Sequence, residues 1–352
     1  MALRFIDSVG HYGATLLSQQ RKWTIISAGY SGSGGRRNAA YLTIPGGAGI
    51  LKTLTHTNCY IQGAAIQATP GASVLGGRLL SLCNDRVELI SVGFNADATL
   101  SLWIGGTQTG LSALAVADPT SWHYYEMWGI IGQSGGNITG TATIMVDGNN
   151  ILTGSGNTTL ATSGLVSQSA TANQVGIIGA GGLNFMDYYC CDTATTDING
   201  ITGSVNTTFV GDCAIESLFP AADITTQWGS YGGDGTHAYS CVNEPAADDD
   251  TSYVLTSHTS SSEAFTYQPI TGFNGTLIGA QYLACCRKDA EGSRVFSMQA
   301  GGSNCKTNEF LAVNQYLSDY YVYYIAPLDT LFGTAWTTGV YNTTTFQVEL
   351  IS

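Results

Sequence analysis

An all-β chain is predicted, folded as two β-sandwich domains, and three observations predict it. No stretch carries the sustained i, i+3, i+4, i+7 apolar pattern of an amphipathic helix. Glycine, with 45 copies, and Thr, Ser and Asn punctuate the chain at the spacing of about 8 to 12 residues expected of sandwiches. Between these breaks lie short β-branched and aromatic runs, which suit a pleated, half-buried surface.

The runs follow one another along the chain. Lys22-Trp23-Thr24-Ile25-Ile26, Tyr41-Leu42-Thr43-Ile44 and Arg86-Val87-Glu88-Leu89-Ile90 read as strands. In Thr99-Leu100-Ser101-Leu102-Trp103-Ile104, the side chains of Leu100, Leu102 and Ile104 share one face. Thr141-Ala142-Thr143-Ile144-Met145-Val146 enters the turn Asp147-Gly148-Asn149-Asn150 and returns through Ile151-Leu152, a hairpin. Residues 193–212 are rich in Thr, Gly, Asn and Ser, with no period, and a new apolar run begins at Cys213-Ala214-Ile215. The expected division is therefore 1–208 and 209–352. A chain of 352 residues is too long for one ordinary core, which agrees with two domains.

Composition narrows the function. Hydrophobic residues make up 44%, enough for sizeable cores, while charged residues reach only 11%, so the surface is largely Ser, Thr, Asn, Gln and Gly. Such a surface suits a protein covered by other subunits or one living outside a cell. With 12 basic and 25 acidic residues the formal charge is −13, which disfavours nucleic-acid binding because little would release counterions from a phosphate backbone. The basic pairs Arg21-Lys22, Arg36-Arg37 and Arg287-Lys288 are expected at strand ends or turns. No segment has signal-peptide character or the run of about 18 apolar residues that spans a membrane, so a soluble chain made in the cytosol is expected.

Nine cysteines show no paired CxxC spacing of a zinc site. Cys190-Cys191 and Cys285-Cys286 are adjacent pairs, and on a strand one member of each would face the core and the other outward. Two readings follow: small buried hydrophobes, or bonds between subunits through Cys190, Cys191, Cys285, Cys286 and Cys305 once the surroundings are oxidising. Tyr316, Tyr320, Tyr321, Tyr323 and Tyr324 crowd one segment, with Tyr321 and Tyr323 facing one way and Tyr320 and Tyr324 the other. One face can pack the core while Tyr320, Tyr321, Tyr323 and Tyr324 offer contact aromatics to a neighbour or a sugar.

Catalytic and cofactor signatures are incomplete. Val175-Gly176-Ile177-Ile178-Gly179-Ala180-Gly181-Gly182 has the glycines of a dinucleotide loop, but Leu183 to Tyr188 reads as a strand where a helix is required. A glycosidase needs two carboxylates about 5 to 10 Å apart, yet Glu88, Glu126, Asp187 and Glu216 each stand alone on their strands. A pair drawn from different strands escapes that criterion. Glu244, Asp248, Asp249 and Asp250 lack the alternation and glycine of a calcium loop and read as a solvated turn. The five histidines, His11, His56, His123, His237 and His258, are scattered and read as surface or interface residues. No cofactor and no metal are expected, and the chain is expected not to be an enzyme.

The order of these segments resembles a family. Phe5-Ile6-Asp7-Ser8, Arg21-Lys22-Trp23, Gly34-Gly35-Arg36-Arg37-Asn38 and Tyr41-Leu42-Thr43-Ile44-Pro45 open a domain similar to the laminin-G or concanavalin-type jelly roll of many phage structural proteins. Ser121-Trp122-His123-Tyr124-Tyr125-Glu126-Met127, the Val146-Asp147-Gly148 tip and Phe185-Met186-Asp187-Tyr188-Tyr189-Cys190-Cys191 continue the likeness. The second half, with Glu216-Ser217-Leu218-Phe219-Pro220, Thr226-Gln227-Trp228, Val242-Asn243-Glu244-Pro245 and Trp336-Thr337, resembles the module that often follows this jelly roll in tailed-phage proteins. The added cysteines and the segment from about Asn58 to Ser81 depart from the pattern. The resemblance implies a structural component of the virion, at neck, collar, tail or head, homo-oligomeric and bound to other virion proteins. Its alternative is a module of a tail fibre or collar that binds host-surface glycans.

Overall fold

The computed structural model describes residues 3–12, 22–69, 77–134, 137–158, 171–179, 181–192, 208–245, 248, 250–288, 294–309 and 322–352. The chain is all-β and of sandwich type. Residues 3–192 supply two large antiparallel sheets. The eight-stranded one runs, in space, Asn149–Asn157, Asn137–Val146, His123–Ser134, Cys59–Ala68, Leu183–Asp192, Tyr41–Ile44, Gly29–Ser31, and Leu3–Asp7 also pairs with Leu183–Asp192. The seven-stranded one runs Thr107–Ala115, Thr99–Ile104, Val87–Phe94, Arg78–Asn84, Ala172–Ile177, Ile50–Thr57, Ile25–Ile26. Sequence neighbours part company at the centre of both sheets, where Cys59–Ala68 and Arg78–Asn84 take partners from the distant strands Leu183–Asp192 and Ala172–Ile177.

Alternation explains the core between these sheets. Leu100, Leu102 and Ile104 are completely buried, as their shared face requires, with Ile90, Val92, Ile66, Met127, Ile144 and Phe185 around them. Each such side chain contributes about 1.5–3 kcal/mol of transfer free energy. The hairpin at Val146 closes more tightly than the sequence suggests: Val146 pairs with Asn149, and Asp147 (φ 48°) and Gly148 (φ 77°) form the two-residue turn. Positive φ at both central positions matches the twist of the flanking strands, and Asp and Gly tolerate it best.

Residues 220–350 supply a five-stranded sheet in the order Pro220–Thr226, Ser261–Tyr267, Phe346–Leu350, Val295–Ala300, Ser303–Glu309. The pair Ala280–Cys286 and Val322–Leu328 packs with it around Tyr282, Phe296, Met298, Leu328, Trp336 and Phe346. A single α-helix, Thr338–Thr343, is found among the described residues; the Thr337 hydroxyl accepts from the Val340 N–H at its start. Residues 209–219 cross the outer face of the eight-stranded sheet before the second set of strands begins. The two halves also meet directly, where the Gln281 amide bonds the N–H and the carbonyl of Ile6 at 3.0 and 2.8 Å.

Several expectations need correction here. Cys190 and Cys191 do face opposite sides of Leu183–Asp192, but both are buried, because Cys191 lies beneath neighbouring segments instead of open solvent. Cys305 is buried as well, while Cys285 and Cys286 are half-buried. A bond between subunits through Cys190, Cys191 or Cys305 would require the fold to open. Tyr324 packs edge-on against Phe296 at 4.8 Å, and Tyr323 meets the His11 ring at 5.8 Å, so both are engaged within the chain. Tyr320 and Tyr321 lie outside the described residues. Lys22 lies in the bend before Ile25–Ile26, as expected, and is buried, while His11, expected at a surface or interface, is buried within the chain.

Candidate functional site

The outer face of the eight-stranded sheet gathers the chemistry. Tyr124 and Glu126 project from His123–Ser134, and Asp187 and Tyr189 from Leu183–Asp192, with Cys59–Ala68 running between the two strands. Tyr189 donates its hydroxyl to Glu126 Oε1 at 2.5 Å, and Tyr124 donates to the Asp187 carbonyl at 3.0 Å. The two tyrosine rings lie nearly parallel, 6.5 Å apart.

Two backbone features make this convergence possible. On the intervening strand, a Cβ at Gly63 would lie 2.4 Å from the Tyr189 ring and 3.0 Å from both Glu126 Cγ and the Tyr124 ring, so the glycine vacates the space these side chains fill. On Leu183–Asp192 the register slips between Met186 and Tyr189, and Asp187 has φ 51°. A bulge of this kind inserts one residue and re-aims the side chains beside it.

Residues 209–215 cover the cluster with their backbone. Gly211 N–H donates to Glu126 Oε1 at 2.8 Å, Val210 N–H to the Tyr189 hydroxyl at 3.3 Å, and Ile215 N–H to Asp187 Oδ1 at 3.0 Å. Cys213 Sγ sits 2.8 Å from the Tyr124 hydroxyl, and Phe209 packs edge-on against Trp128. At the rim Arg36 pairs with Asp212, and the guanidinium groups of Arg36 and Arg37 each stand 3.6 Å from Asp187 Oδ2, which has no hydrogen-bond partner among the described residues. Burial pushes the Glu126 carboxyl above its ordinary value, against the Tyr189 bond that pulls it down. Burial likewise raises Asp187 in spite of the two arginines. Of the two buried carboxyls, Glu126 is tied to a tyrosine hydroxyl and Asp187 to a backbone N–H; buried carboxyls with raised values are a common feature of functional sites.

Beyond the cluster the same face is open. Tyr41 and Trp122 meet edge to face at 5.8 Å and are half-exposed. Beside them runs a chain of polar bonds: Thr43 Oγ1 to Asn184 Oδ1 at 3.1 Å, Asn184 Nδ2 to Gln67 Oε1 at 2.8 Å, and Gln67 Nε2 to the Thr120 carbonyl at 2.7 Å. On the far strands Thr141, Thr153 and Ser155 are exposed. A separate cleft of about 310 Å³ lies in the second half, lined by Glu216, Leu218, Ile270 and Phe273, away from all of these groups.

The remaining sequence candidates are placed as follows. After Ala172–Ile177 comes the strand Leu183–Asp192, so no helix follows the glycines of 176–182. The Ser252 hydroxyl bonds Glu244 and Asp248 at 2.7 and 2.8 Å, and Asp250 pairs with Arg287; Asp249 lies outside the described residues. Among the described residues no group of three or more His, Cys, Asp or Glu could hold a metal. The carboxylate–tyrosine cluster escapes sequence reading because its members come from separate strands, 63 positions apart at the Glu126–Tyr189 bond. The one local signal is Gly63, a glycine inside the strand Cys59–Ala68, where glycine marks a close approach of other groups.

No protein-family model and no curated protein sequence matches the chain. Among solved structures the chain is similar to the cellulose-induced protein Cip1, at 12% identity over 55% of this chain and 99% of that one, with a TM-score of 0.36. It is similar to a Trypanosoma rangeli sialidase at 11% identity over 46% of this chain and 26% of that one, with a TM-score of 0.28. A tail fibre protein of an E. coli phage matches at 14% identity over 46% of this chain and 16% of that one, with a TM-score of 0.23. The chain thus spans about a quarter or less of the sialidase and the tail fibre. The expectation that the chain is not an enzyme is corrected to this extent: the solved structures it is similar to include a sialidase, alginate lyases and an arabinanase domain, so the fold supplies no ground for excluding activity. Glu126 and Asp187 belong to one cluster although they come from separate strands, an arrangement that a search for two acids on one strand passes over.

Proposed function

We propose that the chain is a component of a tailed-phage particle whose first sandwich presents the outer face of its eight-stranded sheet to host-surface glycans. The carrying observation is the half-exposed Tyr41–Trp122 pair beside the bonded row Thr43, Asn184 and Gln67. Aromatic faces stack on the apolar face of a sugar ring, while amides and hydroxyls bond its hydroxyl groups. The sparse charge of the chain supports the same reading, because neutral sugars are recognised without ion pairs. Calorimetric titration of the full chain with bacterial surface oligosaccharides tests it. Binding that drops tenfold or more in Trp122→Ala and Tyr41→Ala is expected; binding untouched by both substitutions, or none across a broad glycan array, refutes it.

A second reading, contact with other virion proteins, is favoured by apolar side chains left exposed on the second half. Tyr231 stacks on Tyr253 at 5.1 Å and, with Leu255, stays about half exposed on the two-stranded sheet of Gly229–Tyr231 and Tyr253–Leu255. Antibody labelling of intact particles at one defined position supports a virion component; a chain absent from the particle's mass spectrum refutes it.

A further inference from the structure

We propose that the side chains of Lys22 and Asp7 condense into an intramolecular amide bond, a covalent tie between the N-terminal strand and the segment that follows it. Lys22 Nζ lies 3.2 Å from Asp7 Oδ1, with both side chains almost wholly shielded from solvent. The Tyr12 hydroxyl and the Trp23 indole N–H donate to Asp7 Oδ2 at 2.7 and 2.6 Å. Val9 N–H donates to Oδ1 at 2.9 Å. His11 Nε2 lies 3.3 Å from Lys22 Nζ, and its Nδ1 faces the Ser217 hydroxyl, also at 3.3 Å. Aromatic rings close the site: Phe5 meets Trp23 at 4.9 Å, Trp23 meets Tyr188 at 5.0 Å, and Lys22 Nζ stands 5.5 Å from the Phe5 centroid.

Each part of this arrangement answers one obstacle to the reaction. An amine and a carboxylic acid lose water to form an amide, and bulk water opposes that step; here the reactants are enclosed by apolar rings. Ammonium and carboxylate do not react; the neutral pair is reached by moving one proton along the Nζ–Oδ1 bond, a transfer that costs less in a low-dielectric interior than in water. Even so, against the burial that raises it, Lys22 and His11 hold the Asp7 carboxyl below its ordinary value. Burial pushes the Lys22 ammonium below its ordinary value. Proximity supplies the encounter.

The step balances without any further reagent. The Nζ lone pair adds to Asp7 Cγ, and the charge that develops on Oδ2 is met by the Tyr12 and Trp23 donors. His11 Nε2 takes a proton from the nitrogen and returns it to Oδ1. Burial, with Lys22 beside it, holds His11 down at about 3, so its imidazole is neutral and able to accept. The Cγ–Oδ1 bond breaks, Oδ1 leaves as water, and an Nζ–Cγ amide remains. Nothing is oxidised or reduced.

The test is mass spectrometry of the full chain, denatured and reduced. The expected intact mass is lower than that of the sequence by one water, after allowance for removal of Met1. Trypsin then releases Asp7 and Lys22 in one branched peptide, with no cleavage after Lys22, and fragmentation places the lost water on that pair. Lys22→Arg restores the full mass, and His11→Ala forms the bond more slowly in a time course after refolding. Recovery of the Asp7 peptide of the unaltered chain unlinked and at full mass, after prolonged incubation, overturns the proposal whether or not either variant folds.

Discussion

Replacing Gly63 by alanine places one methyl group where the carboxylate–tyrosine cluster already fills the space. The added Cβ would lie 2.4 Å from Tyr189 Cε1 and 3.0 Å from Glu126 Cγ and Tyr124 Cε1. The first approach is one that must be relieved, and the Tyr189 ring is held by its bond to Glu126 and by the Val210 N–H. Overpacking of this kind costs about 1–3 kcal/mol. Moving Tyr189 off Glu126 adds about 1.5–3 kcal/mol for a bond to a buried carboxyl. Against this, exchanging glycine for alanine within a strand regains about 0.5–1 kcal/mol of backbone entropy. The net expectation is a loss of about 1.5–5.5 kcal/mol, the two costs less that gain. Gly46→Ala is the matched control, since nothing lies within 4 Å of its Cβ position. Urea unfolding followed by tryptophan fluorescence, with the first sandwich's transition fitted separately, measures both. A Gly63→Ala chain within about 0.5 kcal/mol of the parent, the ordinary range for inert surface changes, would refute the argument that this glycine makes the cluster.

Three further outcomes follow from the buried groups. Glu126 binds its proton more tightly folded than unfolded, so as pH rises past the ordinary glutamate value of 4.5 the native state loses stability relative to a neutral mimic. Glu126→Gln is therefore expected to gain on the parent chain as pH increases, measured by unfolding at successive pH values; a constant difference would contradict it. His11 runs the other way: its folded value of about 3 against the ordinary histidine value of 6.5 means the unfolded chain takes the proton first, so acidification between those limits weakens the fold. Titration by NMR should show a His11 ring that stays neutral through pH 5. Cys190 and Cys191 should resist a maleimide in the native protein and react once it is unfolded, and rapid native labelling of either would show that their cover is not maintained.

Much of this protein was legible along the chain, because alternation and turn chemistry are local. Leu100, Leu102 and Ile104 announce their common face through a period of two, and Asp147-Gly148 announces its turn through the φ values those residues accept. The strand after the glycines of 176–182 was equally readable, since a helix there would have needed a periodicity the residues lack. Which strands lie side by side is a different matter. Cys59–Ala68 stands between His123–Ser134 and Leu183–Asp192, and only that pairing brings Glu126 to Tyr189 and sets both over the vacancy at Gly63. The same limit applies to burial. Alternation gave Cys191 its side of the strand, but the cover over it comes from other segments, and a side chain's exposure depends on everything packed against it. Lys22 and Asp7 make the point most sharply: as residue types they belong at the surface, and only an enclosure of tyrosine, tryptophan, phenylalanine and histidine from separate segments makes a buried ion pair tenable. The sequence by itself thus determined the strands and the side each residue faces, because backbone sterics act between neighbours. The tertiary structure alone decided which partners the acids meet and which groups lose their water, because those depend on contacts between residues far apart in the chain.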